Sequence, residues 1–390
     1  MSVISGIGGL WNSIQTWLIP NIEDDIGKLD ERQKEFVAVC EMCEPEKFMA
    51  KYEWIGNGCP PSSRLSLFKA FVAKASWNFE STSHLLDAIR HNPPLRRLCG
   101  WETLVEVPSN ATFSRAFTQF ADDRLPQLIH EAMIKRSFKD KIVGHSSIDS
   151  TAIEIREKAV DKKVNPKATA EEETKKNEAC AVTEVKGSAA EKKSKTHKHR
   201  RKSEPPQPPE PTRLELQMGR SVEENLTDLP RGCDWGCKKN SQGKTEQWKG
   251  GKLHIAAGDG DVPLAFLLSS ASMHDSQGAI PLMQMTYTRV TSLYDLGDSA
   301  YDAAQIKEMS AKLGHIPIID HNKRRGPEIK FAPAEKMRYR ERTSVERINS
   351  HLHDNHGGRT IRVKGHSKVE AHLAFGLLVI AAEQLFGMLC

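Results

Sequence analysis

Three acidic residues in separate parts of the chain constrain the fold more than any other feature of the sequence. Asp149 lies in an alternating segment after a short apolar run, and Asp298 follows a second apolar run, as expected for residues presented by β-strands. Glu346 lies in a segment whose apolar residues recur at helical spacing. Three carboxylates that converge from two strands and a helix can hold two divalent metal ions, as needed for in-line displacement at a phosphodiester. The sequence therefore predicts an α/β fold that brings these distant carboxylates together.

The placement of basic residues favours a nucleic-acid partner more than the net charge does. A net charge of +5 is small for 390 residues, but three basic clusters occupy the last third of the chain. They flank Glu346 and lie at residues 323–325, 338–342 and 359–368. Basic runs are most often solvated faces, yet beside a predicted phosphodiester site a DNA contact and a plain surface are about equally favoured.

The sequence carries no indication of a membrane span. Its longest apolar run, residues 373–382, is shorter than the roughly eighteen residues that a span needs, so a buried helix is predicted there. The first residues have no basic segment before their apolar stretch, so no signal peptide is predicted. Eight scattered cysteines are typical of reduced thiols, which favours a cytoplasmic protein.

Residues 1–140 are predicted to form a helical N-terminal domain, because apolar residues recur there at helical spacing. One helix, capped by Ser109 or Asn110, would bury three phenylalanines on one face and present Arg115 on the other. A capped helix with polar tips is compatible with reading DNA, and an ordinary bundle helix is slightly favoured by the pattern alone.

Residues 156–229 differ in composition from the rest of the chain. They are rich in Lys and Glu, have almost no aromatic residues, and include the proline-rich stretch 205–211. Such a segment cannot bury enough apolar surface to offset its chain entropy, so a disordered insertion is predicted. Its basic run at residues 192–202 would hold DNA weakly, or the whole segment is a tolerated surface insertion.

Residues 141–155 and 230–390 are predicted to form the second domain. A first strand at residues 142–155 is followed, after the insertion, by a hairpin whose turn lies at residues 258–261. Helices and strands then alternate, which indicates a sheet of mixed strand direction. Asp295 and Asp298 both border the strand of residues 292–297, and alternation does not choose between them.

The third carboxylate belongs to the most specific motif. A single helix is predicted from Ala334 to Asn355, after a proline and before two glycines. At roughly 100° per residue, its polar side chains Tyr339, Arg342, Glu346 and His353 would fall within an arc of about 60°. Glu346 would close a metal site there while Arg342 contacts phosphate. A solvated charged face is the usual explanation for such a pair on its own.

These contexts, taken in chain order, resemble the DDE transposases of bacterial insertion sequences, in the superfamily marked by a Tyr-Arg-Glu signature. Tyr339, Arg342 and Glu346 carry that signature in the spacing Y-x2-R-x3-E. The family motif Asp-x-Gly-Tyr-Asp matches residues 298–302 with alanine in place of glycine. The resemblance therefore implies Asp298 as the second carboxylate.

The resemblance covers about residues 60–155 and 230–385. The segment around residues 92–109 looks like the family's N-terminal DNA-binding region, which favours DNA contact by the helix that carries Arg115. The family pattern continues to a lysine where this chain has His353, whose imidazole is largely neutral at physiological pH.

The resemblance implies a ribonuclease H-like α/β fold, in which a mixed sheet is flanked by helices. It implies that Asp149, Asp298 and Glu346 are the catalytic residues and bind two Mg²⁺ or Mn²⁺ ions. The expected DNA-binding residues are Tyr339, Arg342, His353, Arg115 and Lys252.

The expected function is that of a DNA transposase. Such an enzyme would bind the terminal inverted repeats of its element, cleave the DNA and join the 3′-hydroxyl ends to target DNA. Handling both ends implies at least a homodimer, working in the cytoplasm in association with the nucleoid. Two alternatives remain: a metal-dependent nuclease of the same fold without strand transfer, and a non-catalytic DNA-binding regulator.

Overall fold

The computed structural model describes residues 3–56, 58, 60–159, 211–239, 243–322 and 330–388. Apart from residues 160–212, the chain forms one compact unit, so the boundary predicted near residue 140 marks a change of secondary structure within that unit. The predictions for residues 160–210, including the basic run at 192–202, lie outside the described residues.

The N-terminal part is helical, as predicted. Its α-helices are α1 (Val3–Ser13), α2 (Ile19–Ile26), α3 (Glu31–Cys43), α4 (Arg64–Ser76), α5 (Thr82–His91), α6 (Pro93–Leu98), α7 (Asn110–Asp122) and α8 (Leu125–Ser137). The predicted cap of α7 is Ser109, whose side chain accepts a hydrogen bond from the Thr112 amide. Phe113, Phe117 and Phe120 are buried, so the predicted apolar face of α7 is confirmed.

A sheet of mixed direction follows, also as predicted. Its strands are β1 (Ile142–Glu154), β2 (Asp234–Lys239), β3 (Thr245–Ala257), β4 (Pro263–Ser270), β5 (Thr291–Gly297) and β6 (Ile316–Ile319). The order is β2-β3-β1-β5-β6, with β4 also paired to β3. β3 runs antiparallel to β1, β2 and β4, whereas β1, β5 and β6 run parallel to one another. The predicted hairpin is the β3–β4 pair.

Helices cover both faces of this sheet. They are α9 (Arg213–Gln217), α10 (Val222–Asp228), α11 (Ser276–Tyr287), α12 (Ala304–Lys312), α13 (Pro333–Tyr339), α14 (Thr343–Asn355) and α15 (His366–Gly387). Alternate residues of β3 face opposite layers, because successive strand side chains point to opposite sides. Leu253 and Ile255 pack with α14 and α15, whereas Ala256 packs with α11.

The last helix joins the sheet to the N-terminal helices. α15 packs against α3, α4, α7 and α8 as well as against β4, and its Phe375 ring lies 5.3 Å from Phe68 and 5.7 Å from Phe71. Among the described residues it is the helix long and apolar enough to cross a membrane, but 83% of its apolar window is buried inside the protein. The predicted buried helix at residues 373–382 is confirmed.

The prediction of a disordered insertion is wrong for its final part. Residues 213–228 form α9 and α10, which pack on α11. The polar composition gave no sign of this packing, because the segment buries a polar residue. Asn225 is fully buried, and its side-chain amide donates to Gln217 O (3.1 Å) and Gln284 Oε1 (2.9 Å). A capping box at Ser221 and Glu224 stabilises the start of α10.

The predicted single helix of residues 334–355 is also corrected, because a 3₁₀ turn at Arg340–Arg342 separates α13 from α14. The turn contacts the sheet, where Ser147 Oγ of β1 donates to Glu341 O at 3.2 Å. Ser344 Oγ, in the first turn of α14, donates to Gly258 O at 3.0 Å. These hydrogen bonds tie the 3₁₀ turn and the start of α14 to the sheet region, and the backbone stays right-handed helical through the turn.

Candidate active site between the first strand and the signature helix

Asp149 and Asp298 lie side by side on neighbouring parallel strands. Ile148 of β1 is paired with Gly297, the last residue of β5, and each aspartate is the next residue along its chain. Asp298 accepts a hydrogen bond from the Ala300 amide at 2.9 Å, which fixes it at the turn after β5. The structure thus brings together two carboxylates that are far apart in the sequence.

The surroundings of both carboxylates disfavour their charged forms. Burial and, to a smaller extent, the nearby Asp298 together raise the pKa of Asp149 to about 6, while the Ser150 amide and Arg342 act in the opposite direction. Burial also raises the pKa of Asp298, with Asp275 and Asp320 adding to the effect. Carboxylate oxygens whose charge is disfavoured by burial and by neighbouring carboxylates are suited to bind a hard divalent cation. Such a cation would offset both the burial and the repulsion.

Asp295, the rival for the second position, is placed elsewhere. Its side chain is buried, and its Oδ2 accepts hydrogen bonds from Ser310 Oγ at 2.7 Å and from His315 Nδ1 at 3.0 Å. These partners belong to α12 and to the segment before β6, so Asp295 holds the sheet to its covering helix. Asp298 is therefore the carboxylate that accompanies Asp149.

Glu346 and Arg342 form an ion pair next to the two aspartates. Arg342 lowers the pKa of both Asp149 and Asp298, so its guanidinium lies within electrostatic reach of both. Glu346 is exposed in the first turn of α14. Among the described residues, the carboxylate oxygens of Glu346, Asp149 and Asp298 do not all lie within 4.8 Å of one another. The structure therefore places the third predicted carboxylate beside the pair, held by arginine.

The remaining signature residues line the same side of β1. The Tyr339 ring is half-buried, 4.8 Å from Phe331 and 5.9 Å from the Arg342 guanidinium carbon. His353 Nε2 lies 3.0 Å from Thr151 Oγ1, and burial, followed by the charge of Arg359, lowers the pKa of this imidazole. His353 and Arg359 line a cavity of about 530 Å³ beside β1.

Lys252, a predicted DNA contact, makes polar contacts within the protein. Only 12% of its side chain is exposed, and its ammonium is 2.7 Å from Asp275 Oδ1 and 2.8 Å from Met273 O. Asp275 also accepts a hydrogen bond from Ser150 Oγ at 2.8 Å. Lys252 and Asp275 thus support the strand segment that carries Asp149, and a DNA contact by Lys252 stays a prediction.

Arg115 is the predicted DNA contact that lies in the helical part of the chain. Its side chain is exposed on α7, and its guanidinium donates to Thr112 Oγ1 on the same helix at 3.3 Å. Arg115 lies on the polar face of α7, in agreement with the predicted orientation of this helix. Within the part of the chain that the structure describes, Arg115 makes no contact with Asp149 or Asp298.

Sequence reasoning missed three residues at this site. Asn349, one helical turn after Glu346, donates its side-chain amide to Asp149 Oδ2 at 3.4 Å, and its spacing from Glu346 was the available signal. Tyr301 is buried, and its hydroxyl lies close enough to Asp149 for that carboxylate to add to the burial that raises the tyrosine pKa. Asp320 follows β6, and its amide donates to Gly297 O at 3.1 Å.

Comparison with known proteins agrees with this geometry. The family model described as the transposase DDE domain matches residues 144–381, and the one described as transposase domain (DUF772) matches residues 23–119. No curated protein and no solved structure gives a significant match. The first match covers more than half of the chain and includes Asp149, Asp298 and Glu346. The chain therefore belongs to the DDE transposase family of insertion-sequence type, whose members cleave and transfer DNA strands with the help of divalent metal ions.

Proposed function

We propose that this transposase binds the terminal inverted repeats of its own element, cleaves the DNA there and joins the resulting 3′-hydroxyl ends to target DNA. The observation that carries the proposal is the adjacent placement of Asp149 on β1 and Asp298 just after β5, where each directly follows the paired residues Ile148 and Gly297. Both lie within the segment matched by the transposase family model.

We infer a ribonuclease H-like core for the sheet. Its support is the strand pattern: β4, β3 and β1 are antiparallel neighbours, and β5 and β6 continue in parallel on the other edge of β1. In such an arrangement, a residue on the central strand β1 lies next to the residue that directly follows the parallel strand β5. Asp149 and Asp298 occupy those two positions.

Asp149 and Asp298 are the residues that would hold metal first, with Glu346 joining them when DNA is bound. The support is the ion pair between Arg342 and Glu346, because a DNA phosphate competes with the Glu346 carboxylate for the same guanidinium. Once Arg342 contacts phosphate, Glu346 is free to turn towards the aspartates. Two Mg²⁺ or Mn²⁺ ions bound there would stabilise the attacking and leaving oxygens of the displacement.

Other side chains of the site position the DNA and the aspartates. Tyr339 presents a half-buried ring next to Arg342, which suits it to orient a phosphate or an unstacked base. Neutral His353 would hydrogen-bond to the backbone of the DNA without adding a charge. Asn349 and the Lys252–Asp275 pair keep β1 and Asp149 in place. Arg115, on exposed α7, is proposed to contact DNA outside the cleavage site.

The partner and the cellular location follow from the reaction. Cutting two element ends and inserting them together requires two active sites, so we propose a homodimer assembled on DNA. The substrate implies activity in the cytoplasm, on DNA of the nucleoid.

The test is to incubate the purified full chain with DNA that carries the element ends, in Mg²⁺ or Mn²⁺, and to separate nicked from joined products. Asp149→Asn and Asp298→Asn should bind the ends and yield neither product. Asp122→Asn, at an exposed position of α7, is the matched control and should retain both activities. Nicked products without joined ones would favour the nuclease alternative, and binding without nicking by the unaltered chain would favour the regulator.

A further inference from the structure

A second group of potential metal ligands lies where α14 ends against α15. His351 belongs to the end of α14, His356 follows its last residue, and Glu383 lies near the end of α15. One ligand atom from each of the three lies within 4.8 Å of the other two. His356 Nε2 and Glu383 Oε2 are 3.5 Å apart. Two ligands bound to one tetrahedral zinc ion at about 2.0–2.1 Å would be about 3.3–3.4 Å apart, so the spacing matches.

The His356 imidazole is held in the orientation of a metal ligand. The side chain is only 3% exposed, and its Nδ1 lies 3.1 Å from the carbonyl oxygen of Ala75, the contact of an N–H donor. With the proton on Nδ1, the Nε2 atom carries a lone pair that points towards Glu383. Metal-binding histidines commonly donate their other ring N–H to a carbonyl in this way, which fixes the tautomer and the ring.

The opposite ring nitrogen lacks a hydrogen-bond partner. His356 Nε2 is buried without one among the described residues, although it faces the Glu383 carboxylate. A lone pair and a carboxylate oxygen repel each other unless a proton or a metal ion lies between them, and a buried polar atom without a partner is costly. The His351 ring, with its centroid 4.6 Å from that of His356, supplies the third ligand atom of the group.

A cation can reach this group from solvent. A cavity of about 580 Å³ is lined by His351, His356 and Glu383, and also by the acidic Glu35 of α3. His351 and Glu383 are partly exposed, whereas His356 closes the inner wall. The room beside the three ligands suits a water molecule as the fourth ligand of a tetrahedral ion.

We propose that His351, His356 and Glu383 bind one zinc ion, separate from the catalytic metals, that joins the end of α14 to α15. Imidazole and carboxylate ligands suit zinc, whereas Mg²⁺ prefers oxygen ligands alone. α14 carries Glu346 in its first turn, so the zinc ion fixes the far end of the helix that presents this residue. The inference does not depend on the proposed function.

The test measures zinc binding to the full chain and to single variants by equilibrium dialysis with metal analysis. His351→Gln and Glu383→Gln remove one ligand each at partly exposed positions, and His91→Gln, at an exposed position of α5, is the matched control. The unaltered chain and His91→Gln should bind one more zinc ion than the two ligand variants. Zinc should raise the unfolding midpoint of the unaltered chain and of His91→Gln by several degrees. It should leave the midpoints of His351→Gln and Glu383→Gln almost unchanged.

Two further measurements keep the inference open to refutation. Co²⁺ in place of zinc should give the visible absorption of a tetrahedral site in the unaltered chain, and this absorption should be lost in His351→Gln. If a variant fails to fold, as judged by circular dichroism, zinc should still protect the partly exposed His351 of the unaltered chain from diethyl pyrocarbonate, detected by peptide mass. Equal zinc stoichiometry and equal midpoint shifts in all four folded proteins would overturn the proposal, as would equal modification of His351 with and without zinc.

Discussion

The helical core around α15 and the carboxylate site beside β1 stabilise the protein to very different degrees. In the core, Phe71 packs its ring against Phe113, Phe117, Phe120 and Phe375, with centroids 5.0–6.2 Å apart. At the site, Asp149 and Asp298 are half-buried, burial raises the pKa of both, and the charge of Asp298 also raises the pKa of Asp149. The core gains free energy from apolar burial, whereas the site loses it to repulsion until a cation binds.

The difference shows where the protein tolerates unfavourable interactions. Burial of apolar area around α15 is non-directional and is distributed over many side chains, so it supplies a reserve of stability. The aspartates are held in place against their repulsion by the strand register, by Asn349 and by the Lys252–Asp275 pair. Functional sites commonly reduce stability in this way, and the rest of the fold compensates.

The largest expected effect is on catalysis at the site. Asp149→Asn removes an anionic metal ligand, so DNA cleavage should fall by at least about 10³-fold, which corresponds to the several kcal/mol that metal ions contribute. The same change removes the repulsion with Asp298. Without divalent metal, the variant should therefore be more stable than the unaltered chain by about 1–3 kcal/mol. Urea unfolding in EDTA and a nicking assay in Mg²⁺ measure the two effects.

The opposite result is expected when the core is changed. Phe71→Ala leaves a cavity among the aromatic rings and should lower the free energy of unfolding by about 3–5 kcal/mol. Cleavage per folded molecule should stay near that of the unaltered chain at low temperature, because no ring of this cluster contacts the aspartates. Phe71→Leu, which retains most of the apolar volume, should show a smaller loss. A selective loss of cleavage in folded Phe71→Ala would show that the two regions are coupled.

The core was more predictable from sequence than the site. The phenylalanine face of α7, the β3–β4 hairpin and buried α15 all follow from local patterns of apolar residues, and the structure has them. The 3₁₀ turn at Arg340–Arg342 has no local sequence signal, and its Glu341 carbonyl accepts a hydrogen bond from Ser147, about two hundred residues earlier in the chain. α9 and α10 were missed because their polar residues find buried partners in α11.

Within the site, residue types were predictable and their environments were not. Alternation could not separate Asp295 from Asp298, since the answer depends on Ser310 and His315, which follow both in the chain. Lys252 is predicted to contact DNA, and its ion pair with Asp275, the residue before a later helix, leaves only 12% of its side chain exposed. Contacts between distant segments decide such cases, and a single sequence does not contain them.

The pH dependence of stability separates the two regions further. His130 of α8 lies in the helical core, where burial, followed by the charge of Arg289, lowers its pKa to about 3. The unfolded chain binds a proton at this histidine below about pH 6.5, while the folded chain does not. Stability should therefore fall as pH decreases from 6.5 to 5, with this histidine contributing about 2 kcal/mol to the loss. The contribution of His130 to stability is fully retained above the pKa of this histidine in the unfolded chain, about 6.5.

His130→Leu should flatten this acid-side loss, because the variant lacks the imidazole that gains a proton on unfolding at this position. Unfolding free energies from urea titrations at pH 7 and pH 5 give the comparison, with His91→Gln as the control at an exposed position. An unchanged slope in His130→Leu would mean that other buried histidines, such as His372, account for the acid sensitivity.

The smallest expected effect is on DNA affinity, and it concerns the ion pair at the edge of the site. Arg342→Ala removes a cation that would displace counterions from DNA, so end binding should weaken by about 1 kcal/mol and the salt dependence of log K should become shallower by about 0.9.

Glu346→Gln should bind DNA as well as the unaltered chain or slightly better, because Arg342 loses its competing carboxylate. Its cleavage activity should nevertheless be lost, since an amide does not replace an anionic metal ligand. Gel shifts at several salt concentrations, paired with nicking assays, measure both variants. Equal loss of binding in the two, with cleavage of bound DNA intact, would place both side chains on an ordinary solvated surface and leave Asp149 and Asp298 as the functional part of the site.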